Sequence, residues 1–155
     1  MVFRTAYRIT GNAADAEDVL QTVFLRLLNR GAQAVAVENE ESYLRRAAIH
    51  AALDVVRAHR ADRTVELSEL GTDPAHGVSA ELRQALARAL AQLKPRTAEI
   101  FVLRFLEGFT NPQIARLLGI SQVLVAVIVH RTRQQLRSEL GSYLVDRGSA
   151  SGGRP

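Results

Sequence analysis

Arg131, Arg133 and Arg137 crowd the stretch that follows His130. A guanidinium is planar, permanently charged and able to grip a phosphate with two donors, so such a cluster suits nucleic acid. Of the 20 basic residues all but Lys94 are arginine, and the formal net charge is +4. That balance is compatible with a polyanionic partner without establishing one, because Arg over Lys with abundant Ala also follows from a GC-rich genome. Other chemistries are harder to build. The chain has no cysteine, which excludes disulfides and thiolate zinc sites. His50 and His59 stand nine residues apart on one expected helix without a third ligand. No catalytic triad, phosphate loop or metal-spaced cluster is present, so neither a cofactor nor an enzyme activity is expected.

The elements that would position these side chains are helical throughout. At 155 residues and 47% hydrophobic, the chain has room for one ordinary domain or two small helical ones. No apolar run reaches the roughly 18 residues needed to span a bilayer. The opening residues lack the pattern of a signal peptide, so no membrane insertion and a cytoplasmic location are expected. Asn12 caps a helix in which Val19, Leu20, Val23, Phe24, Leu27 and Leu28 recur at helical spacing as one apolar face. Asp18, Gln21, Thr22 and Leu25 fall on the other face. After a short loop at about 31–39, a second long helix begins near Ser42 or a few residues earlier.

Gly71, Pro74, Gly77 and Ser79 then break the periodicity, which places a linker at 61–78 between helical domains at 1–60 and 79–144. The second block reads as four helices: one at about 80–92, one opened by Pro95 and ended by Gly108, one capped by Thr110 with Gln113, and a last one. Residues 145–155, rich in Gly and Ser, read as a disordered tail.

The last two helices carry the arginines. Ala115 precedes Gly119 by four residues, the spacing of a helix-turn-helix, with Ile114, Leu118 and Ile120 packing around the turn and Ser121 as the next cap. The apolar run Val123–Val129 could be a strand by alternation. The cap before it and the helix-forming Arg131–Leu140 after it argue for a helix. In that register Val125 and Val129 face inward with Leu136, and Leu124 and Ile128 pack at the flanks. Gln122, Val123, Ala126, Val127 and His130 face outward. By itself this motif also fits a plain helical bundle that binds another protein.

The two blocks together resemble the extracytoplasmic-function group of the sigma-70 family of RNA polymerase sigma factors. Ala16, Glu17, Asp18, Gln21 and Phe24 match the group's region 2 signature, and Tyr43, Leu44, Asp54 and Arg57 its following helix. Leu93, Pro95, Arg96, Leu103, Arg104, Gly108, Ile114, Ala115, Gly119, Ile120 and Ser121 are similar to region 4, with His130, Arg131, Arg133 and Leu136 in its closing helix. The pattern departs at Tyr43, where the group commonly has Trp, and at Ala47 and His50, where it has Ile and Asn. The chain starts close to Ala6–Gly11, so either the start lies upstream or the usual first helix is shortened.

The resemblance implies an all-α fold of two small domains and a set of partners: RNA polymerase core, through its clamp helices and flap, promoter DNA, and an anti-sigma factor. It implies that Asp15, Glu17, Asp18, Gln21 and Leu25 dock on the polymerase. It implies that Tyr43, Arg45, Arg46, His50, Arg57 and Arg60 read the −10 element, whose bases must leave the stack to be bound. It implies that Ser121, Gln122, Val123, Ala126, Val127, His130, Arg131 and Arg133 meet the −35 element. Val123, Ala126 and Val127 can touch thymine methyls but donate no hydrogen bonds, so −35 recognition is expected to lean on phosphates and DNA shape. Two rival readings are a free-standing helix-turn-helix regulator and a sigma-like decoy for an anti-sigma factor.

Overall fold

The computed structural model describes residues 1–31, 39–62 and 80–150, with side chains described as far as Gly141. The loop expected at 31–39 and the linker expected at 61–78 fall largely outside these residues. Among the described residues there are seven α-helices and no strand. In order they are α1 (Val2–Thr10), α2 (Ala13–Arg30), α3 (Glu40–Asp62), α4 (Ala80–Gln92), α5 (Pro95–Phe101), α6 (Asn111–Leu118) and α7 (Gln122–Ala150). α5 continues into a π-helical stretch, Val102–Leu106.

Local chemistry explains most boundaries. The Asn12 side chain accepts the Asp15 N–H at 3.2 Å, and Asn39 caps α3 by accepting the Ser42 N–H at 3.0 Å. Thr110 and Gln113 form a reciprocal capping box at α6. Gly119 ends α6 at φ 63°, ψ 36°, a left-handed conformation that costs a side-chain-bearing residue about 1–2 kcal/mol. Ser121 then accepts the Leu124 N–H at 3.1 Å and starts α7. α6 and α7 are bent by 115° across this turn, within the range of a helix-turn-helix. α7 runs on past the domain boundary expected at 144. Residues 145–150, part of the stretch 145–155 expected to be a disordered tail, carry helical backbone; extending a formed helix adds a hydrogen bond per residue without a new nucleus.

One hydrophobic cluster runs through both halves of the chain. Ile9, Val19, Val23, Ile49 and Leu53 supply it from α1–α3, and Leu90, Ile100, Leu103, Ile114 and Val125 from α4–α7. α4 lies at the junction and packs on α3, α1 and α7. Its buried strip is mostly small: Ala85, Ala87, Ala89 and Ala91 around Leu90. Close approach also occurs where Gly11 meets α4: a Cβ there would lie 3.1 Å from Arg83 Cβ.

Candidate nucleic-acid interface

α7 presents the side chains expected to face DNA. Ser121, Gln122, Val123, Ala126, Val127, His130, Arg131 and Arg133 are all exposed. The inward strip is Val125, Thr132 and Leu136, with Ile128 and Val129 half-buried. Leu124, expected to pack at the flank, is instead 45% exposed; the strip that α7 lays on α5 and α6 is too narrow to reach it. Val123, Leu124 and Val127 therefore form an apolar outer patch beside the polar Gln122 and His130.

α2 needs a similar correction. Ala16, Val19 and Val23 are buried and Leu20 and Leu27 half-buried. Phe24 and Leu28, expected in the same apolar face, are 56% and 73% exposed. Each sits one residue, or about 100°, past a residue facing α1 and α3. With Leu25, at 58%, they make an apolar strip bordered by Glu17, Asp18 and Gln21, all exposed. Asp15, at the start of the same helix, pairs with His59 Nε2 at 3.0 Å.

On α3 the expected residues separate into groups. Tyr43, Arg46 and His50 line a cleft of about 480 Å³ together with Arg26, Asn39, Ser42, Ala47 and Leu117. The Arg30 guanidinium stacks 4.7 Å from the Tyr43 ring centroid, so the aromatic ring already lies in a cationic setting. Arg57 pairs loosely with Asp54 at 3.7 Å, and its Nη2 is buried with no hydrogen-bond partner among the described residues. Arg60 is exposed further along the helix.

Arg45 and Arg46 point toward α5 and the π-helical stretch, and there they meet two groups that the sequence reading did not single out. Arg46 Nε donates to Glu99 Oε1 at 2.8 Å, and His50 Nε2 lies 3.0 Å from the same oxygen. Arg45 donates to Glu107 and to Glu41, and its guanidinium lies 5.1 Å from the Phe109 ring centroid. Glu107 also accepts from Thr5 Oγ1 at 3.1 Å and Arg8 Nη1 at 3.2 Å. Both carboxylates are nearly sealed, with side chains 3% and 2% exposed. Burial alone would raise the Glu99 pKa; the hydrogen bonds and charge of His50 and Arg46 outweigh it and hold the carboxyl below its ordinary value. A signal for Glu99 existed in the sequence: it is a lone carboxylate between Ala98 and the run Ile100–Leu103, where an acid must find cationic partners.

Among the described residues no group of three or more His, Asp or Glu side chains could hold a metal ion. No single helix among them is long and apolar enough to cross a membrane.

Comparison with known proteins bears on what these surfaces meet. The sigma-70 region 2 family model matches residues 1–62, and the sigma-70 region 4 model matches residues 83–136. The chain is similar to the ECF RNA polymerase sigma factor SigE of Mycolicibacterium smegmatis, 34% identical over 150 residues; the match covers 92% of this chain and 58% of that protein. It is also similar to the RNA polymerase sigma-E factor of Streptomyces avermitilis, 30% identical over 147 residues, covering 94% of this chain and 82% of the relative. Among solved structures, the sigma factor RpoE in complex with the anti-sigma factor NepR from Bartonella quintana shares the fold at a TM-score of 0.57 and 19% identity, covering 90% of this chain and 89% of that one. The extracytoplasmic function sigma factor SigJ of Mycobacterium tuberculosis does so at 0.53 and 24%, covering 94% and 53%.

Proposed function

The chain belongs to the extracytoplasmic-function group of the sigma-70 family of RNA polymerase sigma factors, and on that premise we propose how its surfaces divide the work. α2 docks on the polymerase core, α3 holds the opened −10 strand, and α7 lies against the −35 duplex. The observation that carries this reading is the presence of both family regions in one chain, at residues 1–62 and 83–136. A free-standing helix-turn-helix regulator has no use for the first of them.

The chemistry of each surface supports its assignment. The strip of Phe24, Leu25 and Leu28, bordered by Glu17, Asp18 and Gln21, is an apolar centre with a polar rim, as a protein-docking surface requires. Tyr43, Arg46 and His50 at one cleft combine a stacking ring with phosphate-directed cations. Arg131 and Arg133, exposed on α7, suit phosphates flanking the base edges that Gln122 and His130 can reach. Sigma factors are not enzymes, and no covalent step is assigned to any of these residues.

The outer patch of Val123, Leu124 and Val127 favours one further partner. Methyl groups contribute less to reading bases than to packing on protein, and Val123 is 73% exposed. One structurally similar sigma factor is solved in complex with an anti-sigma factor. An anti-sigma factor that covers this patch on α7 is the corresponding reading here.

Run-off transcription with cognate core polymerase and a promoter library tests the assignment. Transcripts starting at discrete sites downstream of a shared two-element sequence are the expected result. Polymerase binding without any promoter-specific transcript refutes it and leaves the decoy reading.

A further inference from the structure

The first two turns of α7 carry almost no side-chain hydrogen-bonding capacity. Ser121 Oγ accepts the Leu124 N–H as the helix cap. After Gln122, the next side chain able to donate or accept is His130. Residues 123–129 between them are Val, Leu, Ala and Ile throughout. Val125 is sealed, whereas Val123, Leu124 and Val127 are 73%, 45% and 40% exposed.

Two of these side chains point directly away from the protein. At about 100° per residue, Val123 lies half a turn around the helix from buried Thr132, and Val127 half a turn from buried Leu136. His130 continues the same stripe along the helix. Leu124, about 100° around from Val123, lies at the edge of the stripe and is not assigned to DNA. Arg131 falls to one side of the stripe and Arg133 to the other, both exposed. A DNA groove asks for that arrangement, with base edges at its centre and a phosphate backbone along each wall.

An apolar stripe can recognise little in a major groove. There G presents two acceptors, C a donor and A one of each, while only T adds an apolar group, its C5-methyl. Laid against the first three, valine methyls leave a donor or acceptor desolvated and unpaired, which is unfavourable. Laid against the thymine methyl, they remove apolar surface from water on both sides, which is favourable. The two effects act in the same direction and favour thymine over cytosine and the purines.

We infer that Val123 and Val127 are specificity-determining residues that read thymine C5-methyl groups, so that the −35 element carries A·T pairs at the two positions they meet. The inference rests on the reading of α7 as the −35 helix and adds to it the chemical group that is read. Valine suits the task, because a β-branched side chain in a helix is held largely in one χ1 rotamer and loses little freedom on contact.

The test uses holoenzyme reconstituted from the full chain and core polymerase, with promoters recovered by run-off transcription from a randomised library. Their −35 elements are expected to share two A·T pairs, and fewer than two overturn the inference. In a synthetic duplex of the shared sequence, deoxyuridine then replaces each −35 thymidine, which removes the methyl and keeps every hydrogen-bonding group. Burial of one methyl is worth about fourfold in affinity, so loss of two should weaken holoenzyme binding about fifteenfold. Competition against a fluorescein-labelled duplex reads that ratio. Val123→Ala/Val127→Ala alters exposed positions and favours the helix. This variant should lose affinity for the thymidine duplex and prefer it over deoxyuridine by less than about twofold. Arg131→Ala, off the stripe, should weaken both duplexes equally and preserve the wild-type ratio.

Equal affinity of the wild-type holoenzyme for the two duplexes overturns the inference. So does a thymidine preference that survives in Val123→Ala/Val127→Ala, because the methyl then acts through DNA shape. Either result beside discrete transcript starts removes the methyl reading and leaves the sigma-factor reading standing. If the holoenzyme yields no promoter-specific transcript, the sigma-factor reading falls and the methyl reading falls with it.

Discussion

Replacing Leu25 and Leu28 together with alanine separates a docking surface from an ordinary solvated helix face. The two side chains are 58% and 73% exposed. Fully burying a leucine is worth about 1.5–3 kcal/mol, so covering these exposed fractions on a partner contributes roughly 1–2 kcal/mol each. Alanine retains part of that area, and the double variant should lose about 2 kcal/mol of binding, close to thirtyfold in Kd. Little of either side chain is buried within the chain itself, so the fold should lose only about 1 kcal/mol. Alanine also keeps the helix propensity of α2. Val23, 1% exposed, provides the inverse control: Val23→Ala should lower stability by about 2 kcal/mol and leave polymerase affinity nearly unchanged. The assay is anisotropy of the labelled chain titrated with core polymerase, beside a thermal melt of each variant. An affinity within about threefold of wild type, with the melting temperature reduced, would refute the docking assignment.

Other consequences can be checked separately. Arg131→Ala/Arg133→Ala should weaken binding to a −35 duplex and reduce the slope of log K against log salt by about 1.8, as expected for two lost phosphate contacts; an unchanged slope contradicts the orientation of α7. Gly119→Ala meets no atom within 4 Å but must adopt φ 63°, so thermal unfolding should report a loss of about 1–2 kcal/mol that no repacking relieves. Because the Glu99 carboxyl is held below its ordinary value in the folded chain, its stabilisation is complete above the unfolded value of about 4.3 and lost as pH falls through the lowered one. Denaturant melts from pH 6 downward should therefore show a steeper acid loss for wild type than for Glu99→Gln, and parallel curves would contradict the pairing with Arg46 and His50.

The sequence determined what depends on neighbours along the chain. Caps at Asn12, Thr110 and Ser121, the turn at Gly119 and the helical reading of Val123–Val129 follow from hydrogen bonds and dihedral preferences within a few residues, and the structure agrees with each. The family resemblance was also legible, because it is carried by side-chain types at fixed spacing. Which face of a helix stays covered was less so. Phe24, Leu28 and Leu124 satisfy an apolar period, but burial requires a neighbouring helix to reach them, and α1, α3, α5 and α6 do not. The pairing of Glu99 and Glu107 with Arg8, Arg45, Arg46 and His50 joins residues 49–99 positions apart. Only tertiary packing decided it, since a carboxylate's partner is set by what lies within a few ångströms in space and no period along the chain encodes that distance.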